Sequence, residues 1–216
     1  MTLTELQHEL DTRDDGVLKH GKHKPGREFC ALEFESQVRK REWSDTPLTL
    51  PDLRPLNDGL WSSNAARTKA LLPVMVALWE WASWSPKRRQ QWASRVAILT
   101  IQRIIAELPT LPPLVRLQCQ NAQTCQEAQA AAEAAAGAAG ATWAAWVAAE
   151  AAGATGAATR ATGAAWAAAA AAEAAAGAAG ATWAATRATN HDPILERACT
   201  IWIESCGEPI VANGGE

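Results

Sequence analysis

The sequence predicts an all-α protein, a helical bundle with a long Ala-rich helical hairpin. Three observations lead there. Apolar residues recur at helical spacing, as Ile194, Leu195, Ala198, Ile201 and Trp202 do. Ser85-Pro86 and Asp192-Pro193 read as helix starts, a capping side chain followed by proline in the first turn. Alanine, the strongest helix former, fills 38 of the 67 positions from 122 to 188.

The first helix is expected from Thr4, because Thr4 and Gln7 have capping-box spacing and Leu6 and Leu10 lie one turn apart. It should stop before Gly16. A loop rich in Gly, Lys and His follows. After Pro25 a second helix is expected over 27–43, with Phe29, Cys30, Leu32, Phe34 and Val38 on a broad apolar face. Pro47, Pro51, Pro55 and Gly59 then make the chain irregular or a run of short turns. Asn64 can cap a helix reaching Trp84, kinked near Pro73. Ser85-Pro86 opens the next one, striped by Ile98, Ile101, Ile105 and Leu108 and ended by Pro109, Pro112 and Pro113.

From Leu114 the pattern is helical with few breaks. The segment AAAEAAAGAAGATWAA occurs at 130–145 and again at 170–185, an offset of 40 residues. Eleven turns at about 3.64 residues per turn bring each copy back to nearly the same face. Its simplest origin is duplication within repetitive coding sequence. Gly153, Gly156 and Gly163 cluster between the copies and suit a reversal. Two helices are therefore expected, about 114–152 and 164–189, folded back on each other. Trp143, Trp146, Trp166 and Trp183 supply the large apolar surface that alanine lacks, and should form a helix–helix interface. The organisation read from sequence is an N-terminal helical region (1–113), the Ala-rich hairpin (114–189), a closing helix (190–207) and a tail (208–216), all in one composite domain.

A net charge of -3 and a pI of about 5.9 argue against general polyanion binding. No apolar window is long enough to span a bilayer, and no signal-peptide pattern opens the chain. Cys30, Cys119, Cys125, Cys199 and Cys206 are odd in number and form no CxxC pair, which points to free thiols and a cytoplasmic location.

The run REFCALEFESQVRKREWSDTP, the element Leu56-Asn57-Asp58 and the Ala tract closed by ILERACTIWIE carry a likeness. The chain resembles uncharacterised helical proteins of actinobacteria and their phages over roughly 26–120. Those have a "WSD.P" element, here Trp43-Ser44-Asp45-Thr46-Pro47, then an "LND" element, then an Ala-rich tail. The resemblance implies a bacterial or phage cytoplasmic setting and no particular activity.

Trp43, Asp45, Asn57, Asp58 and Trp61 place polar groups beside aromatics in the irregular stretch, and could line a pocket or interaction site. They could equally cap turns, which is the more frequent use. His20, His23 and Cys30 could supply three zinc ligands, but the loop is Lys-rich and a fourth is missing, so solvated histidines are expected. The thiols are expected to be buried and structural. The basic runs Arg39-Lys40-Arg41 and Lys87-Arg88-Arg89 read as solvated helix faces.

No nucleophile elbow, Walker motif, dinucleotide fingerprint, HExxH or paired-carboxylate motif occurs, so neither an enzyme nor a cofactor is expected. The expected function is a structural or interaction role through helix packing, with a protein partner or self-association, no membrane and no identifiable small-molecule ligand. The alternatives are ice binding and weak nucleic-acid binding. Ice binding needs one flat Thr/Ala face. Here Thr155, Thr159 and Thr162 fall opposite Thr142, Thr182, Thr186 and Thr189 on a straight helix. Nucleic-acid binding would use the basic runs with Trp43 and Trp92 stacking on bases, against the acidic pI.

Overall fold

The computed structural model describes residues 1–13, 15–21, 23–24, 28–59, 61–108, 111–139 and 192–207. Eight α-helices and no strand occur among them: α1 (Leu3–Asp11), α2 (Ala31–Val38), α3 (Arg54–Asn57), α4 (Asn64–Ala77), α5 (Pro86–Arg103), α6 (Pro113–Asn121), α7 (Cys125–Ala139) and α8 (Asp192–Glu204). Single 3-10 turns follow α4 at Trp81–Ser83 and α5 at Ile105–Glu107. The all-α bundle is as the sequence predicts. The reversal expected near 153–163, the second copy of the duplication, Trp143, Trp146, Trp166 and Trp183, and the tail lie outside the described residues.

Local chemistry sets most boundaries. Thr2, not Thr4, caps α1. Its hydroxyl accepts the Glu5 amide at 3.2 Å, and the Glu5 carboxylate accepts the Thr2 amide at 2.7 Å. Ser85 caps α5 as the sequence indicates, accepting the Arg88 amide at 3.2 Å. The helix expected over 27–43 is shorter, because Cys30 has extended backbone and Lys40 turns left-handed at φ +54°. The Lys40 amide donates to Gln37 O at 3.0 Å and that of Arg41 to Ser36 O at 2.9 Å, a Schellman ending with lysine where glycine is usual. The helix begun at Asn64 ends at Ala77, with Pro73 inside it and Ser63 as its cap.

The long helix expected from 114 is interrupted. Ala122 is extended, and a Thr124–Glu127 capping box restarts the chain as α7. Thr124 Oγ1 accepts the Glu127 amide at 3.2 Å, while the Glu127 carboxylate accepts the amides of Gln123 and Thr124. Four unsatisfied amides at the new helix start favour such a cap by about 1 kcal/mol.

The helices assemble around two centres. α4 packs against α1, α3 and α8, and α5 packs against α6, α7 and α8. α8, last in sequence, joins the two. Its Trp202 meets Trp92 of α5 edge to face, ring centroids 5.1 Å apart, and accepts the Trp92 indole N–H at its carbonyl at 3.2 Å. Both rings are fully buried. Burying one such ring contributes up to about 5 kcal/mol. At the other end of α8, Asp192 accepts the Ser62 amide at 2.8 Å and the Ser62 hydroxyl. Gly59 lets the end of α3 approach α8 closely, since a Cβ there would lie 2.9 Å from Leu195 Cδ2. The described part of the Ala tract is core: Ala128, Ala131, Ala132 and Ala135 of α7 are buried. Small side chains admit this close packing, and each adds little area.

Candidate functional site

In the irregular stretch, Asn57, Asp58 and Trp61 are held in structural hydrogen bonds. Asn57, at the end of α3 and fully buried, accepts the Ala31 amide at 3.1 Å and donates to Lys19 O at 2.9 Å and to Asp58 Oδ1 at 2.8 Å. Asp58 Oδ1 also accepts the Gly21 amide at 2.8 Å. Two residues adjacent in sequence thus fasten the 19–21 loop and the start of α2. Trp61 is buried and donates its indole N–H to Leu56 O at 2.8 Å. Trp43 sits apart from this cluster, its ring 5.1 Å from Phe29. Its buried Nε1 finds no acceptor among the described residues. Asp45 contributes to the field at Arg54, whose guanidinium is held charged first by hydrogen bonds to Asp52. The buried Arg67 donates to Asn57 O at 2.7 Å, and burial lowers its pKa against the opposing charge of Asp58.

His23 is not a solvated loop histidine. Its Nδ1 lies 2.9 Å from Glu33 Oε2, and its amide donates to Glu33 Oε1 at 2.7 Å. Glu33 is fully buried and also accepts the Cys30 amide at 2.9 Å. A buried carboxylate needs such partners, and the loop folds in to provide them. Burial pushes the Cys30 thiol up to about 12 and that of Cys199 to about 12, while Cys119 and Cys206 rise to about 11. These thiols stay protonated at neutral pH, whereas nucleophilic chemistry needs thiolate. Among the described residues no group of three His, Cys, Asp or Glu side chains is placed to hold a metal ion, and no helix is long and apolar enough to cross a membrane. All five cysteines are free.

The first basic run also turns inward. Arg39 and Arg41 both pair with the buried Glu35, which accepts the Thr49 hydroxyl as well. Arg39 stacks on Trp79 at 4.2 Å. In the second run Arg89 stacks on Trp81 at 4.6 Å and donates to the carbonyls of Trp81 and Ala82. Trp92 has no exposed face on which a base could stack.

A different surface remains open. α6 turns Leu114, Leu117, Gln118 and Asn121 outward, at i, i+3, i+4 and i+7. Leu114 is 69% exposed and Leu117 52% exposed, far more than the aliphatic side chains of the core. Beside them a groove of about 350 Å³ runs between α6 and α7. Ala130, Ala131 and Ala134 form its floor, and Gln118, Asn121 and Glu127 form its walls. Among the described residues Glu127 is the one charged side chain lining the groove, and its carboxylate is engaged in the α7 cap. Sequence reading passed over Leu114 and Leu117, although their spacing with Gln118 and Asn121 was the available signal.

Comparison of the chain with protein-family models, with curated proteins and with solved structures finds no match.

Proposed function

We propose that this is a non-enzymatic interaction protein that works by helix packing, associating with a second copy of itself through the α6–α7 face. The observation that carries the reading is the adjacency of the exposed Leu114–Leu117 ridge to the alanine-floored groove. Ridge and groove on one face are self-complementary. A two-fold axis between two copies seats each ridge in the other's groove, as an isologous interface requires. Removing two exposed leucines from water favours association, and the alanine floor lets the helices come close. The buried carboxylates, engaged in structural hydrogen bonds, and the protonated thiols support a role without catalysis. The free thiols, with the resemblance noted above, support a bacterial or phage cytoplasmic setting.

The test is molar mass by light scattering across a dilution series. The expected result is a dimer of the 23.0 kDa chain that Leu117→Glu converts to a folded monomer. A wild-type chain that is monomeric at all concentrations overturns the reading. So does a dimer that Leu114→Glu and Leu117→Glu both leave intact.

A further inference from the structure

A second concave site lies away from the α6–α7 face, between the first turns of α5 and the end of α8. It is a cavity of about 380 Å³ whose lining includes Trp84, Arg88, Gln91, Trp92, Arg95 and Cys206. Arg88, Gln91, Trp92 and Arg95 stand at i, i+3, i+4 and i+7, one stripe of α5. Among the described residues no carboxylate lines the cavity.

Several of its donors are already used. The Trp92 indole donates to Trp202 O, the Cys206 thiol to Trp202 O, and the Ser205 hydroxyl to Ile201 O. The Arg88 amide is taken by the Ser85 cap, so the helix end offers less to a ligand than the side chains do. The Arg88 guanidinium differs. It lies flat on Trp84, its central carbon 4.1 Å from the ring centroid, and has no hydrogen-bond or ion-pair partner among the described residues. Arg89 beside it also stacks on tryptophan but donates to two carbonyls. The first turn of α5 holds three cations and no acid, at the helix end where the macrodipole is already positive. Like charge at that end is mildly unfavourable, and a bound anion offsets it.

We propose that this cavity binds a small organic carboxylate, its oxygens held by Arg88 and its apolar body lying against the Trp84–Cys206 wall. A stacked guanidinium presents its outer N–H groups as a rigid fork, the geometry a carboxylate accepts. The volume suits a small molecule and is too confined for a folded partner. Arg95, two turns along the same stripe, also lines the cavity.

The experiment is calorimetric titration of the full chain with indole-3-acetate, its neutral amide and inorganic phosphate as probes. The expected result is saturable one-to-one binding of the carboxylate, with the amide and phosphate each at least tenfold weaker. Arg88→Gln should weaken the carboxylate at least tenfold with an unchanged melting curve, and Arg88→Lys should recover part of the loss. Phosphate binding as tightly as indole-3-acetate, indifference to Arg88→Gln, or no saturable heat overturns the proposal. None of these outcomes depends on the α6–α7 face.

Discussion

Asn57 Oδ1 accepts the amide of Ala31 across 26 residues of sequence, at 3.1 Å, and so supplies from α3 one of the partners that the start of α2 lacks. The same side chain donates to Lys19 O and to Asp58. Asn57→Ala leaves a buried amide and a half-buried carbonyl without their partners. The expected cost is about 2–3 kcal/mol, read from chemical denaturation. Asn57→Asp should cost more, because it removes both donors and sets a second negative charge against Asp58.

The thiols give a pH-dependent prediction. Cys30 and Cys199 rise to about 12 from an ordinary 9.0, first through burial. The folded state therefore holds protons that the unfolded state releases. Their contribution to stability is complete below pH 9 and is lost as pH rises from there toward 12. Stability measured by denaturant titration should fall steadily above pH 9. At neutral pH a thiol reagent should modify the half-buried Cys125 first. Cys30, Cys119 and Cys199 should react only as the protein unfolds. Rapid native labelling of those three would contradict the burial described.

Lys40 carries a local strain that substitution can relieve. A side chain in the left-handed region costs about 1–2 kcal/mol, and glycine avoids that cost while losing more chain entropy on folding. Lys40→Gly should raise stability by about 0.5–1 kcal/mol. The side chain takes no part in the Glu35 pairing, so Arg39 and Arg41 keep their partner. A thermal melt against wild type checks the sign.

The duplication allows a deletion with a defined outcome. Removing residues 130–169 joins Gln129 to the second copy, whose sequence matches the first through position 145. Ala131, Ala132 and Ala135, buried against α5 and α6, are then replaced by identical residues. The deleted chain should keep a cooperative melt and the near-ultraviolet signal of its packed tryptophans. Loss of cooperativity would mean that part of 140–169 is needed by the bundle.

Features set within one turn of helix were legible in the sequence. Ser85-Pro86 opens a helix because cap and proline act on amides a few residues away, and Asp192-Pro193 marks the start of α8, although Asp192 is its first helical residue and gives its carboxylate to Ser62. The break before α7 was legible too, since Thr124 and Glu127 have capping-box spacing, but continuous alanine obscured it. The polar interior was not legible. Glu35 gathers Arg39, Arg41 and Thr49, and Glu33 gathers His23 and the Cys30 amide, through a left-handed turn and a loop that only tertiary contacts fix. For the same reason the sequence shows Asn57 and Asp58 only as polar groups beside aromatics, while the loop and helix start they hold could not be named. The outward leucines of α6 depend on which face α5 and α7 cover, again a matter of packing.

The seam between Trp92 and Trp202 joins residues 110 positions apart. During synthesis at about 5–20 residues per second, Trp92 waits roughly 5–20 s for its partner. Throughout that interval the faces of α4 and α5 that α8 will cover stand bare on the nascent chain. Completion of the bundle therefore waits for α8 to be made, and a ribosome stalled within the alanine codons would display an unfinished core to the chaperones and proteases around it.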